Sequence, residues 1–322
     1  MLETAFTRLV GASVPIQCAA MPGVTSVELA AAVTNAGGVG MLPATLLSPE
    51  ALESELERLA RAARGPFGVN FLVPFLDREA LAVAARRARI VECFYGEPDP
   101  EFAREGHRHG ALVGWQVGSA AEAAAAERAG CDYVVAQGTE AGGHVRGVTS
   151  LLPLLADTLE RVRVPIVAAG GLATARDLAA VLACGASGAR LGTRFLATHE
   201  SSAHPGYVES VLRASAGDTC LTEAFSGLWP NAPHRVLRAS IEAAQALPEG
   251  PVGEVPIGGR RLPVTRFSVI CPSVGSSGRV DAMALYAGES VANVTSVRPA
   301  AEIIAELVSG AEKLLRGHAG QS

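Results

Sequence analysis

Residues 164–193 read Val-Pro-Ile-Val-Ala-Ala-Gly-Gly-Leu-Ala-Thr-Ala-Arg-Asp-Leu-Ala-Ala-Val-Leu-Ala-Cys-Gly-Ala-Ser-Gly-Ala-Arg-Leu-Gly-Thr. An apolar run over Val164–Ala169 ends in Gly170-Gly171. Thr174 then opens an alanine-rich stretch, Ala175–Ala183, that stops at Gly185. A second run, Ser187–Gly192, leads into Thr193. Runs that are apolar on both faces suit strands buried in a parallel sheet. A threonine ahead of a helix accepts a hydrogen bond from the first turn, and a glycine behind it takes the left-handed conformation that ends the helix. The stretch is therefore strand, turn, capped helix, glycine, strand: one right-handed βαβ unit.

The same alternation extends upstream. Strand-like runs fall near Val14–Ala19, Gly38–Pro43, Phe67–Val73, Arg89–Phe94, Leu112–Val117 and Tyr133–Gln137, which with the two above makes eight. Helical stretches lie between them. Ser26 to Asn35 ends in Ala-Gly-Gly, Ser48-Pro49-Glu50 places proline at a first helical position, and Ser119 caps a stretch that stops at Gly130. Eight strands at spacings of about twenty to thirty residues predict a closed (β/α)8 TIM barrel. A doubly wound open sheet needs glycine-rich phosphate turns early in the chain. Here they come late, after the sixth, seventh and eighth strands, which favours the barrel.

The pattern changes after Phe195. Residues 196–297 mix helix-like pieces with loops such as Gly227-Leu-Trp-Pro-Asn-Ala-Pro and Cys271-Pro-Ser-Val-Gly-Ser-Ser-Gly. They read as an insertion covering the barrel mouth, not an independent domain. The barrel is then residues 1–195 and 298–322. Its last part is an amphipathic helix from Pro299 to about Arg316, with Ile303, Ile304, Leu307, Leu314 and Leu315 on its apolar face.

Composition narrows the function classes. The 322 residues are 49% hydrophobic, only 18% are charged, and the net charge is -5. That composition supports a large core and argues against a nucleic-acid partner. No apolar stretch is long enough for a membrane span, and no basic start leads into an apolar run, so neither a membrane nor a leader is expected. The six cysteines, Cys18, Cys93, Cys131, Cys184, Cys220 and Cys271, are scattered and form no CxxC pair. Neither a disulfide framework nor a metal site is expected, and a reducing cytoplasm is the natural location.

In such a barrel, chemistry sits where strands end. The sixth strand ends Gln137-Gly-Thr-Glu-Ala-Gly-Gly-His144. Gly142 and Gly143 let backbone approach a flat ligand. His144 titrates near neutrality and can take and return a proton. A surface histidine fits the position equally well. Glu140 is expected to bond within the loop. Gly170 and Gly171 follow the seventh strand, and Arg190, Gly192 and Thr193 close the eighth; two consecutive turns of this kind form a phosphate cradle. Asn70 on the third strand is a poor strand residue and needs a partner, either a ring ligand or a nearby loop. Gln116 ends the fifth strand as a ligand contact or a polar plug, and Trp115 beside it should pack on a helix. His107, His109, His199, His204 and His234 show no ligand spacing and are expected at the surface.

These residues resemble the nitronate monooxygenases, formerly 2-nitropropane dioxygenases. The likeness runs through Val14-Pro-Ile…Met21, Leu29–Gly40, Pro66-Phe-Gly-Val-Asn70, Ala136–His144, and Pro165–Gly171 with Leu191–Phe195. Tyr286-Ala-Gly-Glu-Ser290 looks like the family's C-terminal segment. The resemblance implies FMN at the barrel mouth. It assigns Asn70, Gln137 and Gly142 to the ring and ribityl chain, Gly171, Gly192 and Thr193 to the phosphate, and Met21 to the space under the flavin. Tyr286 and Gly288 are contacts from the C-terminal segment, and His144 is the active-site base. Cys18, Ala20, Arg190 and the spacing after His144 depart from the family pattern. The implied reaction oxidises an alkyl nitronate, or its parent nitroalkane, with O2 to a carbonyl compound and nitrite. An FMN-dependent NAD(P)H:quinone reductase, an enoyl-ACP reductase and an inactive flavin-binding barrel are the alternatives. The physiological substrate and the oligomeric state are open.

Overall fold

The computed structural model describes residues 2–319; residues 320–322, at the end of the segment assigned to the barrel, lie outside them. Eight parallel strands form one sheet: Ile16–Cys18, Gly40–Pro43, Phe67–Leu72, Ile90–Phe94, Leu112–Val117, Tyr133–Gln137, Ile166–Ala169 and Gly188–Leu191. All eight predicted strands are present, most with their ends trimmed. Neighbours pair in sequence order, and the first strand pairs with the eighth, Ile16 opposite Ala189. The ring closes between the first and second strands. Cys18 N–H donates to the Val39 carbonyl and Val39 N–H to the Ile16 carbonyl, both at 2.9 Å. An open doubly wound sheet is thereby excluded.

The helices between strands start and stop where the caps predicted. Ser26 Oγ accepts from Leu29 N–H ahead of Val27–Asn35. Thr174 Oγ1 accepts from Asp177 N–H, and the Asp177 carboxylate accepts from Thr174 N–H at 2.7 Å, so Ala175–Ala183 carries both halves of a capping box. The helix Pro49–Ala62 buries Leu52, Leu56 and Leu59 completely, each worth about 1.5–3 kcal/mol against an exposed side chain. Trp115 is buried against Phe102 of helix Pro100–Arg108, ring centroids 5.5 Å apart, as its alternation with Gln116 required.

The last helix, Ala300–Ala319, lies against Ala175–Ala183 and Val27–Asn35 and completes the outer ring. Its approach is close, because a Cβ built at Gly310 would stand 2.5 Å from the Ala175 Cβ.

Residues after Leu196 form two small sheets and several short helices above the strand ends. One sheet joins Thr219–Thr222 and His234–Leu237 to Gly143–His144, a two-residue strand contributed by the loop after the sixth barrel strand. The other is the hairpin Pro251–Ile257/Arg260–Thr265 with Ser277–Gly278. The insertion has an apolar centre around Phe225, Val236, Val252, Val264 and Met283. A second cluster mixes its Tyr207, Val211 and Val291 with Val24 from the first barrel loop. No helix of the described residues is long and apolar enough to cross a membrane.

Candidate active site

A cavity of about 510 Å³ opens over the C-terminal ends of the strands. Every site residue expected from the sequence lines it: Met21, Asn70, Gln116, Gln137, Gly142, Gly143, His144, Gly170, Gly171, Arg190, Gly192, Thr193, Tyr286 and Gly288. Residues as far apart in the chain as Met21 and Gly288 meet here, most of them because they lie at or just past the C-terminal ends of the barrel strands, Tyr286 and Gly288 because the C-terminal segment folds over the same end.

The loop after the sixth strand is held from several sides. Gln137 Nε2 donates to the His144 carbonyl at 3.0 Å. Glu140 stays within the loop, its Oε1 accepting from Leu151 N–H at 3.0 Å, as anticipated. The C-terminal segment clamps the loop tip. Glu289 N–H donates to the Glu140 carbonyl at 2.9 Å, and Gly288 N–H donates to Thr193 Oγ1 at 3.0 Å. Both partners at the contact must be glycine: a Cβ on Gly142 would lie 2.5 Å from Gly288 N, and one on Gly288 would lie 2.8 Å from the Glu140 carbonyl oxygen. Gly170 and Gly171 turn in the left-handed region, at φ +109° and +69°.

His144 is enclosed by rings. Trp229 stacks on it at 4.0 Å between centroids and 23° between planes. Tyr95, Tyr286 and His234 surround it at 5.9, 5.7 and 5.3 Å. Burial, with the His234 ring as a smaller contribution, holds the imidazole down to about 3. His144 is therefore neutral across the physiological range, and its Nε2 is buried without a partner. Gln137 Oε1 is buried and unpartnered in the same way. Buried polar atoms are nearly always paired in native proteins, so two such atoms on one cavity are free to bond the polar atoms of a ligand.

His234 corrects the sequence expectation. It is fully buried rather than at the surface, and its register partner across the small sheet is His144. Its Nε2 accepts from Phe225 N–H at 3.2 Å, which puts its proton on Nδ1, 2.8 Å from the Ala232 carbonyl oxygen. Both nitrogens are thus used by a neutral ring, and burial keeps it below the usual imidazole range. No sequence spacing marks His234, because the strand bearing it meets the His144 loop only in the folded chain. His204 caps helix Pro205–Arg213, and His107 pairs with Asp132.

Beneath the cavity floor lies a polar network that the sequence reading did not name as a whole. Glu92 on the fourth strand is fully buried. Its carboxylate accepts from Asn70 Nδ2 at 2.7 Å, from the Tyr133 hydroxyl at 2.7 Å, and from the Arg190 guanidinium. Arg190 also donates to Gln116 Oε1 at 2.6 Å and Gln17 Oε1 at 2.8 Å. The partner that Asn70 required is therefore Glu92, and the Arg190 guanidinium is committed to protein acceptors while its side chain lines the cavity. A signal was available: a glutamate inside Ile-Val-Glu-Cys-Phe is a charge in an apolar strand, and a buried charge needs a counter-charge and hydrogen bonds.

The nitronate monooxygenase family model matches residues 3–81 and 75–310. The chain belongs to the nitronate monooxygenase family. A probable nitronate monooxygenase of Staphylococcus haemolyticus is 33% identical over 274 residues, 69% of this chain and 75% of that one. The (3aS,4S,5R,7aS)-5-hydroxy-7a-methyl-1-oxo-octahydro-1H-indene-4-carboxyl-CoA dehydrogenase of Rhodococcus jostii is 35% identical over 241 residues, 74% and 67% of the two chains. Among solved structures, FabK from Thermotoga maritima superimposes with a TM-score of 0.82 at 26% identity, covering 100% of both chains. A nitroalkane oxidase from Streptomyces ansochromogenes gives 0.77 at 29% identity, over 98% of this chain and 100% of that one.

A nitronate monooxygenase barrel is an oxidoreductase built around a flavin, and this cavity fits one. The orphaned Gln137 Oε1 offers an acceptor to a ring N–H. Gly143 faces the cavity with nothing within 4 Å of a built Cβ, and Gly192 has only Ala19 Cβ and Met21 Sδ, at 3.4 and 3.5 Å. The backbone is bare where a flat ring and a phosphate need to approach.

Proposed function

We propose that this chain is an FMN-dependent nitronate monooxygenase that oxidises alkyl nitronates, and their parent nitroalkanes, with O2 to carbonyl compounds and nitrite. FMN, when bound, supplies electron acceptance from the substrate and the activation of oxygen. Asn70, Gln137 and Gly142 would hold its ring and ribityl chain, and Gly171, Gly192 and Thr193 its phosphate. Met21 would lie beneath it.

The observation that carries the reading is His144 Nε2, an unpartnered nitrogen of a neutral ring at the cavity wall. Facing a neutral nitroalkane, it takes the proton from the carbon bearing the nitro group. The imidazolium so formed is costly inside an aromatic cage unless an anion lies beside it, and the nitronate released by the same transfer is that anion. Facing a preformed nitronate, His144 has no proton to take and only orients the substrate. Trp229 and Tyr95 keep water from the ring.

His144→Gln separates the two roles. The variant should keep FMN and lose turnover of neutral nitroethane by about 100-fold or more, the usual worth of a positioned base, with a far smaller loss on ethyl nitronate. Normal nitroethane turnover by the variant would remove His144 from the mechanism.

The likeness to FabK over the full chain gives the reductase reading its support. Against it, Arg190 is the single cationic side chain among the described cavity-lining residues, and it is already bound to Glu92, Gln17 and Gln116. A pyridine nucleotide would find no free cation for its phosphates inside the cavity. Anaerobic bleaching of the flavin by NADPH but not by a nitronate would favour the reductase.

A further inference from the structure

The cavity is divided. Its floor is glycine and amide, while the wall that rises past His144 is apolar. From His144 the contacts run outward through rings: Trp229 stacks on the imidazole, and Phe75 packs edge-on against Trp229 at 5.2 Å. Phe75 is already at the surface, 41% exposed. Leu228 and Leu46, 70% and 58% exposed, line the same cavity, as does Ile257 of the hairpin. Single exposed leucines are ordinary and carry no message. Here three of the eight large apolar side chains exposed among the described residues belong to one cavity. Clustered exposure of that kind marks a binding surface.

The backbone gives a second, independent observation. Leu46 and Leu228 hold φ of +70° and +76°, in the left-handed region that a leucine rarely enters. Such conformations are unfavourable and persist where the surroundings require them, typically at ligand-binding sites. Both leucines stand at the cavity mouth. Glu55 is the only acidic side chain among the described lining residues, and it is bound to Arg58. The wall therefore offers apolar contact and no free charge.

Resting on the reading of the site given above, we infer that the substrate carries an apolar alkyl chain of several carbons: its nitro or nitronate head sits at His144 and its tail runs along Trp229 and Phe75 to the Leu46/Leu228 rim. A substrate of two or three carbons would leave this wall bare. A tail bearing a carboxylate or phosphate near its middle would find no partner on it.

The test is a homologous series. On the holoprotein, kcat/KM for primary nitronates from ethyl to hexyl should rise about two- to fourfold per methylene, the worth of burying one CH2. Leu228→Ser and Phe75→Ser should each reduce the hexyl-to-ethyl ratio at least threefold; both side chains are exposed, so folding is not at risk. Calorimetric titration with straight-chain carboxylates from acetate to octanoate, which mimic the nitronate head and need no turnover, should show the same tightening and a progressively more negative heat-capacity change. Affinity and kcat/KM independent of chain length would overturn the inference while leaving nitronate oxidation standing. Chain-length-dependent binding with no turnover of any nitronate would do the reverse.

Discussion

At the scale of single residues, the decisive fact about His144 is its environment. Three aromatic rings and a second imidazole remove water from it; burial disfavours the charged form, and the His234 ring adds to the effect. The sign follows directly. A histidine held at about 3 in the folded protein gains its proton only well below the ordinary value near 6.5, so its basic form persists through pH 5. For neutral nitroethane, the acid limb of kcat/KM should therefore fall well below pH 5. A pH profile taken between pH 4 and 7 checks this, and a limb centred near 6.5 would show that the imidazole is hydrated in the working enzyme. The same shift makes the fold less stable as pH falls below about 6.5, where the unfolded chain binds a proton that the native site refuses.

At the scale of elements, the site depends on a loop and a tail that are distant in sequence and meet backbone to backbone. Gly142 and Gly288 allow that approach, and Thr193 locks it by accepting from Gly288 N–H. Gly142→Ala places a methyl group 2.5 Å from a backbone nitrogen, so the tail must move away from the eighth-strand turn. Flavin affinity should fall at least tenfold, read by fluorescence titration of the apoprotein with FMN. Gly217→Ala, whose new methyl would touch nothing, is the control and should bind as the parent does. If the two variants bind FMN alike, the clamp is not part of the flavin site. The element scale also explains where the sequence served well. Caps such as Ser26, Ser48 and Thr174 act within one turn of their own chain, so their meaning survives without knowledge of the fold.

At the scale of the whole molecule, the Glu92 network ties the barrel together from inside. Gln17, Asn70, Glu92, Gln116, Tyr133 and Arg190 come from the first, third, fourth, fifth, sixth and eighth strands. Glu92→Gln keeps the shape and leaves the Arg190 charge buried without its counter-charge, which costs about 3–5 kcal/mol. The thermal midpoint should fall by on the order of 10 °C, measured by scanning calorimetry on the apoprotein. An unchanged midpoint would mean that water or another group already compensates Arg190. Because the network supports Asn70, Gln116 and Arg190 at the cavity floor, a change in global stability and a change in the site arise from one cause.

The sequence alone determined the barrel, its strands and caps, and which residues its strand ends and loops bring to one cavity. Those features depend on periodicity and on local hydrogen bonding, which a chain carries wherever it folds. It also exposed the loop from Gln137 to His144, because three glycines and a histidine just past a strand break the local pattern of the chain. Only the tertiary structure decided that His234 faces His144 and that Trp229 stacks on it. The same holds for the buried carboxylate that satisfies Asn70 and Arg190. Those relations join segments whose spacing in sequence bears no relation to their distance in space, and the closed ring of strands is what brings them together.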